Sequence, residues 1–533
     1  MQSKARQYEG KRRGPCKASE WGACIDAPRA RLPAGSGTMP RKHERAAMVS
    51  RLLKFLKWTA LVLVIMLITA IALRTYDVQR GPPLERWHTF VPHELSQGEL
   101  RKADWAAYIA AENKAFDEVR AQVTDKLPPE AQLPGNRYFK DSPIYPGRFA
   151  QDWNRSYLLE PEGAARGAVV LLHGLTDSPY SLRHVAGLYR DRGFVVVAIR
   201  MPGHGTVPSG LTKVDWEDWS EATRLAVREA RRRAPAPLPL HVVGFSNGGA
   251  LAMKYALDGL DDRNLARPDR VILIAPMIGI TELSRFAGVF GWPAIFPAFA
   301  KAAWLGIVPE FNPFKYNSFP VNGARQSSLL TRDLRAHIAR EESAGNLARL
   351  PPILTFQSLI DFTVSTRAIV TGLYARLPAN GSELVLFDLN RSIKFGPLLR
   401  SGSDLRLDRI LPAAPRNFRS TIITNTGPDS RQVLERVTEA GATSEKTRTL
   451  DLEFPLEVFS LSHLALPFPM NDSLYGMRPD NTDEFGVNLG ALAMRGERGA
   501  LIVSLDSLSR LSSNPFYPYM AERIGGVIPK AQP

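Results

Sequence analysis

The 533-residue chain is predicted to be an α/β protein built on a mostly parallel, doubly wound sheet, and three observations predict it. From about Ser156 onward, short apolar runs alternate with helical stretches, the pattern of a parallel sheet covered on both faces. One of these runs, His241-Val-Val-Gly244, leads straight into Gly244-Phe-Ser246-Asn-Gly248 and a helical stretch, a strand–turn–helix junction. Hydrophobic residues make up 44% and charged residues 23% of the chain, ordinary values for a globular domain of this class. Two appendages are expected on this frame, an N-terminal transmembrane helix and a lid insertion. The expected organisation is a basic, disordered head (1–51), a membrane anchor (52–75), a helical linker region (76–150) and the α/β domain (151–533). Within the last, 277–350 is expected as the lid and 390–455 as an insertion.

The head explains most of the basicity. The chain carries +15 overall, but residues 1–57 hold +10 of it and the other 476 residues only +5. No basic stripe interleaved with aromatics is present, so nucleic acid is not an expected partner. Trp58 to Leu73 is sixteen residues without a charge, extended upstream by Leu52, Leu53, Phe55 and Leu56. From Leu52 to Leu73 the run matches the roughly 20 residues that cross a bilayer. Lys54 and Lys57 can snorkel to the interface. Lys and Arg crowd the N-terminal flank, which predicts a cytoplasmic N-terminus and a catalytic domain on the periplasmic or extracytoplasmic side. Ala70-Ile71-Ala72 offers a signal-peptidase alternative, though it abuts the apolar run with no polar spacer. Cys16 and Cys24 both precede this segment, so the exported body holds no cysteine to pair. Met39 and Met48 are alternative starts.

After one amphipathic helix, Ala103 to about Val123, strands are expected at 168–172, 195–199, 241–244, 271–275, 353–358 and 383–387. Helices are expected near 181–192, 220–233, 248–257 and 365–377. Two stretches break this rhythm. Residues 277–350 hold Phe286, Phe290, Trp292, Phe296, Phe299 and Trp304, then a charged helix; the cluster suits local core or a lid over a greasy pocket. Residues 390–455 are basic, contain proline and read as less regular.

The chemistry concentrates at Gly244-Phe-Ser246-Asn-Gly248-Gly249. Flanking glycines permit the tight, strained turn that exposes a serine hydroxyl at the carboxyl edge of a sheet, so Ser246 is the expected nucleophile. The same turn directs the backbone N–H of Asn247 toward a developing oxyanion. Upstream, the strand Val169–Leu172 ends in His173-Gly174-Leu175, where the backbone N–H of Leu175 can act as the second oxyanion donor. His173 itself is expected to shape the loop by packing.

The stretch from His173-Gly174 through Arg200-Met-Pro-Gly203-His204-Gly205, Val214-Asp-Trp216-Glu-Asp-Trp219 and the serine turn resembles bacterial carboxylesterases and monoacylglycerol lipases. It is similar more broadly to the serine aminopeptidase-like branch of the α/β-hydrolase superfamily. That resemblance, close over about 155–275 and loose over 351–470, implies the α/β-hydrolase fold. It also implies a Ser-Asp-His triad in that chain order, and no metal or organic cofactor. Asp361, in Asp361-Phe-Thr-Val364 after the strand Ile353–Ile360, matches the family's acid loop; Asp388, ending the next strand, is the rival. A carboxylate there would fix the imidazole tautomer and stabilise its protonated form. Either aspartate also suits a plain helix N-cap. Of nine histidines only His463 follows Asp361, which makes it the expected base, although the expected insertion 390–455, about 65 residues, lies between it and the last core strand. His337, inside the lid segment, is the competitor.

The expected activity is hydrolysis of carboxylic esters, that of a carboxylesterase or of a lysophospholipase or monoacylglycerol lipase, the substrate being a small-molecule ester with a hydrophobic acyl chain, an acyl lipid above all. Uncharged acyl esters are expected to be preferred over peptides, because an unpaired charge is costly to desolvate in an aromatic pocket. Peptide or thioester hydrolysis by the same triad, and a non-catalytic hydrolase-like domain binding envelope partners, are the alternatives.

Overall fold

In the computed structural model, the described residues are 42–279, 297–392, 410–480, 482–491 and 508–529. The first element, α1 (Lys42–Arg80), contains Val49–Leu73, 25 residues of mean hydropathy 2.3 and none of them buried. By length and composition it is the one helix among the described residues fit to cross a membrane. The chain divides after Ile68 into two units, the second of which contains every strand.

That second unit is organised by ten strands in one sheet. β1 (Tyr157–Leu159) lies antiparallel at one edge beside β3 (Phe194–Ile199). The sheet continues through β2 (Gly167–Leu172), β4 (Leu240–Phe245), β5 (Arg270–Ile274), β6 (Ile353–Ser358) and β7 (Glu383–Phe387), all parallel to β3. β2, β3, β4, β6 and β7 are buried at every position; β2 and β3 accordingly read as unbroken apolar runs, while β4, β6 and β7 are mostly apolar and admit His241, Thr355, Gln357, Ser358 and Glu383. Helices α3 (Arg183–Arg190), α4 (Trp216–Arg233), α5 (Asn247–Asp261), α6 (Val321–Ser343) and α7 (Thr366–Gly372) lie on the successive connections. The six expected strands are all present, each within one residue of its expected ends.

Residues 410–455 differ from expectation. Instead of irregular chain they hold β8 (Arg419–Asn425), which pairs parallel to β7, followed by antiparallel β9 (Gln432–Thr438) and β10 (Lys446–Glu453). They extend the sheet to its far edge. β9 alternates buried and open positions, and β10 exposes nearly every side chain, Lys446 and Arg448 facing solvent as an outermost strand requires. Residues 393–409, also in the expected insertion, lie outside the described residues.

The 76–150 segment packs into the same core. Its helix α2 (Trp105–Gln122) is N-capped by Asp104, which accepts the N–H of Ala107 at 2.8 Å. Leu100 and Tyr108 join the main cluster, and the Tyr108 hydroxyl donates to the carbonyl of Arg200. Arg200, fully buried, donates to Glu94 at 2.7 Å and Glu112 at 3.0 Å. Two carboxylates thus neutralise the cation just before the Met201–Gly205 turn, and a buried cation is tolerated only when so paired.

Chain direction along the sheet reverses at β2: the connection to β3 runs one way, and those from β4 to β7 run the other. In open α/β sheets, ligands bind beyond the carboxyl ends of strands at such a switch point.

Candidate active site

At that switch point β4 ends and Ser246 occupies φ 55°, ψ −114°, a backbone state unusual for a residue with a side chain. Two glycines make the turn sterically possible. A Cβ on Gly244 would lie 2.2 Å from the carbonyl oxygen of Gly248, and one on Gly248 would lie 2.0 Å from that of Leu172. The Ser246 side chain is thereby held at the head of α5, with its own N–H bonded to Ile274 at 3.0 Å.

His463 comes to it from the loop after β10. Its Nε2 stands 2.9 Å from Ser246 Oγ and its Nδ1 2.8 Å from Asp361 Oδ2. The Phe245 ring stacks on the imidazole at 5.3 Å between centroids. Asp361 Oδ1 accepts the N–H groups of Thr363 at 2.7 Å and Val364 at 2.9 Å, and Oδ2 accepts Gln357 Nε2 at 3.1 Å. Burial alone would raise the pKa of Asp361, but the His463 charge, its hydrogen bond and the two backbone donors outweigh it and hold the carboxyl below its usual range. The carboxylate is therefore ionised at neutral pH. Asp388 is engaged elsewhere, accepting from Arg391 at 2.9 Å and from Thr424 at 2.9 Å. His337 lies buried on α6, where its Nδ1 is 3.3 Å from Lys254 Nζ.

The Gly174-Leu175 loop, the expected oxyanion loop, passes directly over the serine. A Cβ on Gly174 would be 3.3 Å from the Ser246 Cβ, and Leu175 follows at the pocket wall. Asn247, the first residue of α5, carries an N–H that has no acceptor within the helix. His173 Nε2 accepts the N–H of Met201 at 3.0 Å, so its Nδ1 carries the proton and donates to the Gly174 carbonyl at 2.8 Å. Burial pushes its pKa down to about 3, which keeps the ring neutral and the tautomer unchanged through the physiological range. It ties the serine-side loop to the Met201–Gly205 turn and does not touch Ser246 Oγ.

Several residues that sequence reasoning missed hold the His463 loop in place. Ser462 Oγ donates to the carbonyl of Arg510 at 2.7 Å, and Asn390 Nδ2 donates to that of Val458 at 3.0 Å. Asn514 Nδ2 donates to the carbonyl of Leu466 at 3.1 Å. Beyond the loop, fully buried Asp472 accepts from Tyr180 at 2.9 Å, His184 at 2.7 Å and Arg183 at 3.0 Å. Burial opposes its ionisation, yet His184 and Arg183 hold its pKa down at about 2. Those partners sit just after the oxyanion loop, so this cluster fastens the base segment to the oxyanion side of the site.

Ser246 and His463 open into a pocket of about 450 Å³, whose walls include Leu175, Phe245, Met277, Tyr316 and Phe319. Of the expected lid aromatics, Phe286, Phe290, Trp292 and Phe296 lie outside the described residues, as does the side chain of Phe299. Trp304 is buried edge-on against His88, 4.8 Å between centroids, away from the pocket lining.

The chain is similar to known proteins over part of its length. Residues 163–368 match the family model of serine aminopeptidase, S33. Over 139 residues the chain is 30% identical to a thermostable monoacylglycerol lipase of Bacillus sp. (strain H-257). The stretch covers 25% of this chain and 54% of that enzyme, so the chain spans about half the length of this curated relative. Among solved structures it is similar to a metagenome-derived lipolytic enzyme at 21% identity, over 44% of this chain and 88% of that one, with a TM-score of 0.35. A soluble variant of the Saccharomyces cerevisiae monoglyceride lipase is similar at 16% identity, over 43% and 81%, with a TM-score of 0.34.

Proposed function

For a chain that belongs to the α/β-hydrolase superfamily, we propose the activity of a serine hydrolase of carboxylic esters, with Ser246, His463 and Asp361 as its triad. The observation that carries this reading is the unbroken hydrogen-bond chain from Asp361 through His463 to a strained Ser246. Ser246 Oγ attacks the acyl carbonyl carbon while His463 Nε2 takes its proton. The tetrahedral oxyanion is received by the backbone N–H groups of Leu175 and Asn247. His463 then returns the proton to the departing alkoxide, and an acyl-enzyme remains. Water, deprotonated by His463, attacks that ester, and the carboxylic acid leaves as Ser246 regains its proton.

Ester cleavage is favoured over aminopeptidase action by the charge of the pocket. Its described walls carry Lys315 and Arg510 and no carboxylate, so nothing there pairs with a substrate ammonium group. Purified protein is expected to show a higher kcat/KM for monoacylglycerols or p-nitrophenyl acyl esters than for aminoacyl amides. Faster turnover of the amides would overturn the ester reading.

We also propose that α1 anchors the protein through Val49–Leu73, with residues 1–51 on the cytoplasmic side and the catalytic domain extracytoplasmic. The support is a fully unburied apolar helix with basic residues at its N-terminal side. The full chain is expected to stay in the membrane pellet after carbonate washing. Protease added from outside should digest the body and spare the head. Recovery of a soluble body starting near Leu73 would identify the segment as a cleaved signal.

A further inference from the structure

His337, the rival that the sequence offered for the base, lies outside the pocket, and the proposed catalysis does not use it. It stands on α6 one turn before Glu341, so the two side chains share a face of that helix. Both are buried, 2% and 3% exposed, and both approach Asp261, the last residue of α5. One donor atom from each of the three, His337 Nε2 and two carboxylate oxygens, lies within 4.8 Å of the others.

The imidazole nitrogen is the informative atom. Nε2 is buried and makes no hydrogen bond. Asp261 Oδ2, at 3.0 Å, lies off the direction in which the ring would donate, and Glu341 Oε1 at 3.8 Å is too far. Those separations suit ligands of one ion, since bonds of about 2.0–2.2 Å at tetrahedral angles put neighbouring donor atoms roughly 3.3–3.6 Å apart. Glu341 Oε2 accepts Asn346 Nδ2 at 2.9 Å, which leaves Oε1 for the histidine side. With a metal on Nε2 the ring proton sits on Nδ1. Asp258 Oδ1, 3.7 Å away, is then the outer carboxylate that a metal-bound imidazole usually has. Lys254 lies 3.3 Å from Nδ1 but is held independently by Asp258 at 2.6 Å and Asp333 at 3.2 Å.

Arg340 is the competing cation. Its Nη2 is 3.3 Å from Asp261 and its Nε 3.4 Å from Glu341, and its side chain is 59% exposed, free to turn into solvent. One guanidinium balances only one of the two carboxylates, whereas a divalent ion balances both. We infer that His337, Glu341 and Asp261 form a binding site for one divalent transition-metal ion of the zinc type. One imidazole and two carboxylates are a donor set such an ion takes, with water completing the tetrahedron. Its place makes it a structural clip. α5 starts directly after Ser246, and α6 carries Ala324 and Ser327 to the pocket wall, so the ion ties the far ends of the same two helices. The inference stands apart from the ester reading and survives its failure.

The test uses the full chain in detergent, untagged and carrying Cys16→Ser and Cys24→Ser so that thiols of the head take no metal. Chelator-stripped protein is titrated with zinc chloride against a fluorescent zinc indicator, and thermal unfolding is followed with and without the ion. One equivalent is expected to bind with a Kd on the order of 1 μM or tighter. Tm should rise by about 3 °C or more at a hundredfold excess over Kd. Magnesium chloride at the same concentration should leave Tm unchanged. Glu341→Gln, nearly isosteric, should weaken zinc binding by about tenfold or more, as should His337→Ala. Arg340→Ala, a surface change, should tighten it by removing the competitor. A cluster held together by ion pairs alone predicts the opposite: Arg340→Ala would lower the Tm of the metal-free protein and leave zinc affinity unchanged. That result would overturn the inference, as would a wild type that takes up no zinc or a Glu341→Gln variant that binds it equally well.

Discussion

Ser246→Ala is expected to abolish covalent labelling by a fluorophosphonate and to lower kcat on p-nitrophenyl esters by roughly 10³- to 10⁶-fold. The size of the effect follows from the geometry. A serine hydroxyl is a poor nucleophile at its ordinary pKa and becomes useful only with a base in hydrogen-bond contact, here His463 Nε2 at 2.9 Å. The turn that presents it, at φ 55° with two glycine carbonyl approaches too close for any Cβ, represents strain in the folded state. Alanine accepts that turn no worse than serine, so the variant should stay folded and bind ester with a similar KM. Mass spectrometry of the labelled protein reads the result: adduct at Ser246 in the wild type, none in the variant. Undiminished labelling in Ser246→Ala would remove this residue as nucleophile. A wild type that never labels would favour the non-catalytic, envelope-binding alternative.

The legible parts of the fold share a cause. β2, β3, β4, β6 and β7 are buried along their whole length, so burial made them predominantly apolar, and these short apolar stretches give the strands away. The outer strands obey other demands. β8 reads Arg-Ser-Thr-Ile-Ile-Thr-Asn, its buried Ser420 and Thr421 satisfied by Arg416 at 2.9 Å and Glu383 at 2.8 Å, partners that no local pattern announces. β10 is an edge whose charge protects it from pairing further, and charge in sequence looks like loop. The Arg200 cluster was equally hidden, since its partners Glu94 and Glu112 stand 106 and 88 residues away.

The site was legible in proportion to how local its geometry is. The serine turn needs glycines at fixed offsets, so it is written in five consecutive residues. The Asp361 loop is nearly as local: one carboxylate oxygen is consumed by the N–H groups two and three residues on, which accounts for a compact Asp-Phe-Thr-Val turn after the strand. Asp388 bonds its following residue and then Arg391, so sequence position alone did not separate the two aspartates. Lys315 and Arg510 escaped notice because nothing in their neighbourhoods in sequence marks a pocket wall. Their meaning appears only when the oxyanion, acid and base loops are brought together.

The base is the least local member, and its replacement should be as damaging as that of the serine. His463→Ala is expected to drop kcat by roughly 10³-fold or more with KM little changed, because a triad works as a unit. His337→Ala should stay within about tenfold, since that ring is buried on α6 against Lys254 and outside the pocket. The long separation from β7 is bridged physically: β8, β9 and β10 continue the sheet, and the chain returns from its far edge to the site. Asn390, Arg510 and Asn514 then hold the returning loop through its backbone and side chains. A side-chain base delivered on so long a path must be fixed at many points, or the 2.9 Å contact to Ser246 would be lost to loop motion. The kinetic comparison of the two histidine variants on one ester decides the matter. A heavy loss in His337→Ala with His463→Ala nearly intact would move the base to α6 and leave the sheet extension without a catalytic purpose.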